Sequence, residues 1–547
     1  MECGSYVIRI RNFAVPFTDE TDLKELVAHR LLLPPQQIVE VVVVRKAIDA
    51  RRYRGAPISF VYILDARLAG GRGAEKRALH RFKRDANVEQ RAPVKPFSVP
   101  QAGRQGARPV VVGFGPAGMF AALTLARGGM APLVLERGQD VDTRHADITR
   151  FWKGGGLAPE SNVQFGEGGA GTFSDGKLTT RINDSRTKDV LETFVAAGAP
   201  EEIRCLQKPH IGTDILRTVV KHIRKEILRL GGEVRFGAHV TDLELDADGI
   251  AALIVNGEER IAAREVLMGI GHSARDTYRM LLAHGVAMEG KPFAMGVRIE
   301  HPQTLIDQAQ YGEDAGSLRL PAADYALTYQ DPVTGRGTYS FCMCPGGLVV
   351  AAASELGRVV TNGMSNYRRD SGIANAALLV QVTPEDFGKE VLGGMALQEE
   401  LEGRAFQLGG SDYFAPVQTV GDFLRGTSGS KDFLTRPTYA PGVRSADLHA
   451  CLPHFITQAL EGALPYFDRK IAGFADARAV MTGVETRSSA PCRIRRDRVT
   501  FLAERTPGLY PIGEGAGYAG GIMSAACDGM KAALAILAQN EHNRRHE

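Results

Sequence analysis

A β-branched run that ends at a glycine constrains this chain more than any other feature in it. Val110-Val111-Val112 leads into Gly113, glycines return at 115 and 118 with Pro116 and Ala117 between them, and an apolar helical segment follows from Met119 to Ala126. Gly113 lets the chain turn off a strand, Gly115 lets the backbone approach a pyrophosphate, and Gly118 lets the helix pack close to a sheet. The N–H groups at the helix start then face phosphate oxygens. A second strand, Pro132 to Leu135, ends in Glu136, eighteen residues after Gly118, where an acid can hydrogen-bond a ribose 2′-hydroxyl. Strand, turn, helix, strand and acid in this order predict a dinucleotide site. A 2′-phosphate would meet the Glu136 carboxylate, and the adjacent Arg137 does not remove that acid, so FAD or NAD is expected rather than NADP.

At 547 residues the chain is too long for one core, and three modules are expected. The seven cysteines, at 3, 205, 342, 344, 451, 492 and 527, are odd in number and lack framework spacing, which argues for a reducing compartment. None of them has zinc-ligand spacing, so no metal is expected. There is no CxxC, and Cys342-Met343-Cys344 reads as two half-buried strand cysteines on one face in preference to a redox pair. No apolar run approaches the roughly 20 residues that span a bilayer, and the N-terminus lacks a signal-peptide pattern. A cytoplasmic protein without membrane partners is therefore expected. Residues 1–109 carry twenty Lys and Arg against eleven Asp and Glu, whereas the whole chain is only +3. The excess clusters at Arg45 to Arg54 and Arg72 to Arg91. It is read as a solvated basic face and linker in preference to a docking surface for an anionic partner such as RNA.

The first module reads β-α-β-β: a strand at 6–10, a helix over 19–31 with Leu23, Leu26, Val27 and Leu31 on one side, and strands at 38–44 and 58–64. This predicts a small α+β, ferredoxin-like domain over 1–85. Residues 86–108, rich in Pro, Gln, Ala and Arg, read as a linker. An α/β, Rossmann-like domain then starts at 109. Its helix over 214–230 stops at Gly231-Gly232, a strand covers 233–236, and short strands at 240–245, 250–255 and 260–263 form a β-meander. A plain NAD dehydrogenase would continue with βαβ units here. The meander points to FAD, with the domain running over 109–275, an inserted α+β cap or substrate domain over 276–475, and a return to the FAD domain over 476–540.

Three further segments belong with the first. Gly508 to Ile522 reads as strand, acid and glycine loop, opening a helix over 523–537. Its Gly513, Glu514, Gly521 and Ile522 would place an acid and a helix N-terminus at a flavin. The loop from Phe165 to Leu178 lets Gly168, Gly169, Ala170, Gly171 and Ser174 bring backbone close to a cofactor. Its Asp175-Gly176 is like the DG pair of flavin hydroxylases, but it lies before the crossover helix and not after the meander, so that reading is rejected. Finally, Val266-Leu267-Met268 ends at Gly269-Ile270-Gly271-His272, read as a strand returning to the cofactor, with Gly271 and Val240 against it. His272, in a glycine turn, is an acid–base candidate with Arg275 beside it.

Together these residues resemble the bacterial FAD-dependent dehydrogenases, also called NAD(FAD)-utilizing dehydrogenases, of the second glutathione-reductase-type group of flavoproteins. The resemblance runs over nearly the whole length. It includes Arg45 to Arg51, Gly271 to Asp276, Cys342 to Gly347, Thr361-Asn362-Gly363-Met364-Ser365, Val484 to Pro491 and Gly513 to Ile522. It implies an FAD oxidoreductase in which a small substrate exchanges a hydride with the flavin, with NAD(P)H at most a transient visitor since no second nucleotide domain is visible. Asn362, Ser365, Arg368 and Arg487 are substrate-side candidates alongside His272 and Arg275, and the arginines suggest an anionic substrate. The alternative is a flavoprotein acting on RNA through the basic N-terminal module. Oligomeric state is open.

Overall fold

A computed structural model describes residues 7–51, 55–92, 97–102 and 107–546, with the side chains of 542–546 left aside. Tyr6, Cys3, part of the Arg45–Arg54 cluster and the stretches 93–96 and 103–106 of the expected linker lie outside the described residues. The chain divides into two compact units, one of residues 1–98, 200–209 and 310–321, and one of the remainder.

The smaller unit is a four-stranded antiparallel sheet in the order Ile38–Asp49, Ser59–Leu68, Val7–Pro16, Val88–Arg91, with helices Leu23–Leu31 and Gly71–His80. That is the split β-α-β-β-α-β arrangement of ferredoxin-like folds. The Leu23 helix forms where its spacing predicts, capped by Asp22, whose carboxylate accepts the Lys24 N–H at 2.8 Å. The expected linker 86–108 is corrected at both ends. Val88–Arg91 is an edge strand paired with Val7–Ile10, and Ala102, in the larger unit, is buried with its N–H on the Gly128 carbonyl. Several of the module's basic residues are paired with its own acids. Arg9 pairs with Asp65, Arg11 with Glu89, Arg51 with Asp49 and Arg67 with Glu40. Residues 200–209 and 310–321 join this unit through Lys46, whose backbone exchanges hydrogen bonds with Cys205 and Gln207, and through Arg319 on Glu20.

The larger unit is built around a five-stranded parallel sheet in the order Leu509–Pro511, Val266–Met268, Val110–Val112, Leu133–Leu135, Glu233–Arg235. Its strands other than the half-buried edge strand Glu233–Arg235 are buried throughout, which is why Val110–Val112, Leu133–Leu135 and Val266–Met268 read as unbroken apolar runs. Helix Thr213–Arg229 presents Leu216, Val219, Val220, Ile223 and Ile227 to the interior at helical spacing. The meander forms from Val240–Asp246, Gly249–Val255 and Glu259–Ala262, and Leu243 and Leu253 pack into one core with Val110 and Leu133.

A seven-stranded mixed sheet makes up the cap, in the order Thr328–Gln330, Gly337–Cys344, Ile373–Val382, Phe293–Pro302, Val480–Glu485, Ala415–Thr419, Val443–Ser445. Val480–Glu485 therefore belongs to the cap sheet and not to the returning FAD segment, because it pairs antiparallel with both Phe293–Pro302 and Ala415–Thr419.

Helix Ile522–His546 closes the unit. Its stretch from Ile522 to Glu541 is long and apolar enough to cross a membrane by length and composition, which the expectation of no such run had missed. In the fold 72% of the most apolar window is buried. The helix packs so closely on Pro116–Arg127 that a Cβ on Gly529 would lie 2.0 Å from the Ala117 carbonyl oxygen.

Candidate functional site

One long cleft, of about 1570 Å³ with its open mouth, runs across the larger unit where the parallel sheet meets the cap. At its narrow end the strand Val110–Val112 turns at Gly113, whose φ is +90°. A Cβ on Gly113 would lie 2.4 Å from the Gly269 carbonyl oxygen, and one on Gly118 would lie 1.9 Å from the Gly113 carbonyl oxygen. Those two glycines are required by the protein's own packing. Gly115 is different. Its φ is −75°, open to any residue, and a Cβ there would find only the Gly169 Cα, at an ordinary 3.6 Å. Nothing in the chain demands glycine at this cleft-lining position. Gly115 is also the N-cap of helix Pro116–Arg127 and has no side chain to cap it, so helix-start N–H groups remain for a ligand.

Glu136 is buried at the same end. Its carboxylate accepts the N–H groups of Phe114 at 2.7 Å, Gly138 at 2.8 Å and Gly166 at 3.0 Å. A carboxylate offers about four acceptor positions, so one is left for a hydroxyl. Arg137 stacks 4.1 Å over Phe165 and is held by Glu160 and Asp276 at 2.7–3.0 Å. His239 sits against the same two acids, and Val240 lines the wall beside it.

Further along, the glycine loop contributes Gly169, Ala170, Gly171 and Ser174, and Gly271, Glu514, Gly521 and Ile522 face them across the cleft. Gly118, Gly168 and Gly513 lie behind the surface. Gly168 is packed on Thr172, and Gly513 donates its N–H to Asp528 at 2.7 Å. Glu514 accepts the Gly521 N–H at 3.5 Å, and burial raises its carboxyl to about 7.

The side chains expected to do chemistry need correction. His272 lines the cleft with Nδ1 2.9 Å from Ser273 Oγ, which donates to Gln164 Oε1 at 3.2 Å. With the Ser273 hydroxyl proton on Gln164, Nδ1 is the protonated nitrogen and Nε2 the acceptor. Burial first, then the positive charges of Arg487 and Arg275, push the ring down to about 3. A group so depressed is neutral near pH 7 and does not titrate there as expected.

Arg275 lies outside the cleft, 1% exposed, donating to both Glu402 oxygens at 2.7 and 2.9 Å and to Glu355 at 2.6 Å. Arg487 reaches the cleft wall, but it grips the same Glu402 at 2.8 and 3.0 Å and Ser354 at 2.5 Å. Burial alone would raise the Glu402 carboxyl. The two guanidinium groups instead hold it well below the usual carboxylate range. These arginines are thus structural cations sharing one buried acid. Ser365 is spent as a donor to Asp175, and Arg368 is exposed outside the cleft, while its neighbour Arg369 forks onto Asp175 at 2.6 and 3.1 Å. Of the expected substrate-side groups, His272, Asn362 and Arg487 line the cleft.

Sequence reasoning missed the residues that make up the wide end. Glu485 lines it, clasped by the buried Arg298 at 2.8 and 2.9 Å and by Thr361 at 3.1 Å. Asp175, Lys177, Phe341 and Cys342 complete it. Both cysteines of the pair line the cleft, but they are not alike in exposure as expected. A bulge between Phe341 and Cys344 turns Cys342 into the left-handed region, φ +42°, and Cys342 is exposed while Cys344 is buried. Desolvation pushes the Cys342 thiol up to about 12. Among the described residues no cluster of His, Cys, Asp and Glu fits a metal ion.

Residues 292–488 match the family described as FAD-dependent protein, C-terminal domain-like, and residues 7–67 match a domain of unknown function (DUF8436). Similar solved structures include a triple mutant of the flavin-dependent brominase Bmp2, 13% identical over 80% of this chain and 83% of that one, TM-score 0.34. A geranylgeranyl bacteriochlorophyll reductase-like protein from Thermoplasma acidophilum is 14% identical over 81% and 80%, TM-score 0.35. A halogenase PltM mutant in complex with FAD is 10% identical over 80% and 70%, TM-score 0.38. An uncharacterized protein of Clostridium beijerinckii is 48% identical over 97% of this chain and 98% of its own length. The chain belongs to one family with that protein, and its residues 292–488 are similar to the C-terminal domain-like family of FAD-dependent proteins.

Proposed function

We propose that the chain is an FAD-dependent oxidoreductase of the dehydrogenase kind, exchanging a hydride between the flavin and a small substrate or NAD(P)H. The observation that carries this reading is Gly115, a glycine that the chain's own packing and backbone do not require, at an uncapped helix start on the cleft wall. A pyrophosphate in contact with that backbone gives the missing reason.

The residues fit the group along the cleft. The remaining acceptor position of Glu136 suits a ribose hydroxyl, and the start of helix Pro116–Arg127 suits the diphosphate. FAD, when bound, supplies two-electron chemistry at its ring. The start of helix Ile522–His546, at Gly521 and Ile522, offers positive dipole to negative charge growing on a bound ring. His272, neutral and fixed through Ser273 and Gln164, presents an acceptor nitrogen and orients rather than titrates. Asn362, Phe341, Cys342 and Lys177 wall the space left for substrate.

The test is to purify the protein, record its visible spectrum, identify the released nucleotide by chromatography, and titrate NADH and NADPH anaerobically. A yellow protein that releases FAD, and is bleached by a reductant, is expected. A colourless protein that reconstitutes with NAD and not with FAD would overturn the reading.

A further inference from the structure

We propose that the wide end of the cleft binds an organic anion, its charged group on Lys177 and its apolar body against Phe341. The inference rests on the flavoenzyme reading above and names the substrate class it left open.

Charge matching carries it. Among the described residues three Lys or Arg side chains line the cleft: Arg137, Lys177 and Arg487. Arg137 is matched by Glu160 and Asp276, and Arg487 by Glu402 and Glu355. Among the described residues no carboxylate lies at hydrogen-bond distance from Lys177. Its nearest is Asp175, 4.0 Å away, and both Asp175 oxygens are already taken by Arg369, with Ser365 on one of them. The other lining acid of this region, Glu485, is matched by Arg298. With Asp175 and Glu485 against Lys177, Arg369 and Arg298, the wide end carries one positive charge in excess. A cation in a partly desolvated site is costly until a counter-charge arrives.

The surroundings of Lys177 suit a ligand. Its ammonium donates to the Met343 carbonyl, which sets it against the bulge that also presents Phe341 and Cys342, and a lysine has three donors to give. Phe341 is a large apolar ring left 38% exposed on the cleft wall. Asn362 spends its amide oxygen on the Gly363 N–H at 2.8 Å, so its NH₂ is what it has to offer a ligand. The positive field is felt nearby. His210 is lowered to about 4 by burial, with Arg369 and Lys177 contributing. The arginines that first suggested an anionic substrate are not the reason for one.

The test titrates the FAD-loaded protein with benzoate, with benzyl alcohol as a neutral analogue and benzylamine as a cationic one, following the flavin spectrum and the heat of binding. Benzoate is expected to perturb both and to bind at least about tenfold more tightly than either analogue. Losing one partner of a desolvated charge pair costs about 2–5 kcal/mol, so Lys177→Gln should weaken benzoate at least about thirtyfold. Lys177→Arg should retain most of the affinity, and Arg368→Gln, on the exposed surface, should match the wild type. Equal binding of benzoate and benzyl alcohol, no benzoate signal at all, or unchanged benzoate affinity in Lys177→Gln overturns the proposal. So does a Lys177→Gln protein whose flavin midpoint potential falls while benzoate affinity holds, because the charge then serves the reduced ring. If Lys177→Gln fails to fold, the wild-type comparison of the three compounds decides. A protein without FAD that still selects benzoate by calorimetry sinks the flavoenzyme reading and leaves the anion site standing.

Discussion

Gly115 and Gly118 lie three residues apart and should fail in different ways. Adding one methyl at 118 puts a Cβ 1.9 Å from the Gly113 carbonyl oxygen and 3.3 Å from Val111, in the close contact between helix and strand. Ordinary contacts begin near 3.4 Å, so the backbone must move by more than an ångström inside a packed core. Overpacking typically costs 1–3 kcal/mol, and a clash with backbone belongs at or above the top of that range, about 3 kcal/mol. At 115 the same methyl meets nothing closer than 3.6 Å. The expected cost to the cofactor-free fold is only the difference between Gly and Ala at an N-cap, up to about 1 kcal/mol. The assay is a urea or thermal melt of flavin-stripped protein beside an FAD titration. Gly118→Ala should melt early. Gly115→Ala should melt near the wild type yet bind FAD far more weakly, and Gly115→Val should not bind it. A Gly115→Val protein that retains stoichiometric flavin, or a Gly115→Ala apoprotein as unstable as Gly118→Ala, would refute the reasoning.

Three further outcomes are expected. Burial raises the Glu300 carboxyl from an ordinary 4.5 to about 7, so the folded state keeps a proton that the unfolded chain has released. The stability this group contributes is full below pH 4.5 and lost as pH rises through 7. Glu300→Gln should therefore exceed the wild type in stability by roughly 3 kcal/mol at pH 8 and equal it near pH 4; a variant less stable at pH 8 contradicts this. Glu402→Gln leaves Arg275 and Arg487 without their shared buried acid and should cost about 3–5 kcal/mol by urea denaturation, and a loss below 1 kcal/mol would show the arginines find other partners. His272, pushed down to about 3, should show no NMR titration of its ring between pH 5 and 8, using His272→Gln for assignment; a midpoint in that window restores the acid–base role.

The sequence exposes those parts of the fold that rest on local rules. Gly113 and Gly118 are legible because a positive φ and a close helix–strand contact admit only glycine. The meander is legible because three short strand-like stretches follow one another with only two or three residues between them, too few for a crossover helix. Helix Gly71–His80 was hidden by its composition. It buries little beyond Glu75 and Ala78, so its Arg72, Lys76 and Arg77 read as part of a basic cluster. Cys342 and Cys344 were expected to be equally half-buried because alternation is the default, whereas the bulge that exposes one and buries the other is set by tertiary pairing with Ile373–Val382. Arg275 and Arg487 look like substrate cations until Glu402 is known to lie between them. No local pattern links positions 275, 402 and 487.

The order of strands in the parallel sheet also bears on how the chain is made. Val110–Val112 leaves the ribosome early, but its neighbour Val266–Met268 follows more than 150 residues later, and Leu509–Pro511 with helix Ile522–His546 comes later still. At about 5–20 residues per second, roughly 20–80 s separate synthesis of the first glycine turn from that of Ala525, which closes the same cleft. For that interval an apolar strand edge waits unpaired, open to aggregation or chaperone capture. Cofactor capture is thus a late event in the life of the nascent chain, and ribosome-stalled chains halted before Leu509 should hold no flavin.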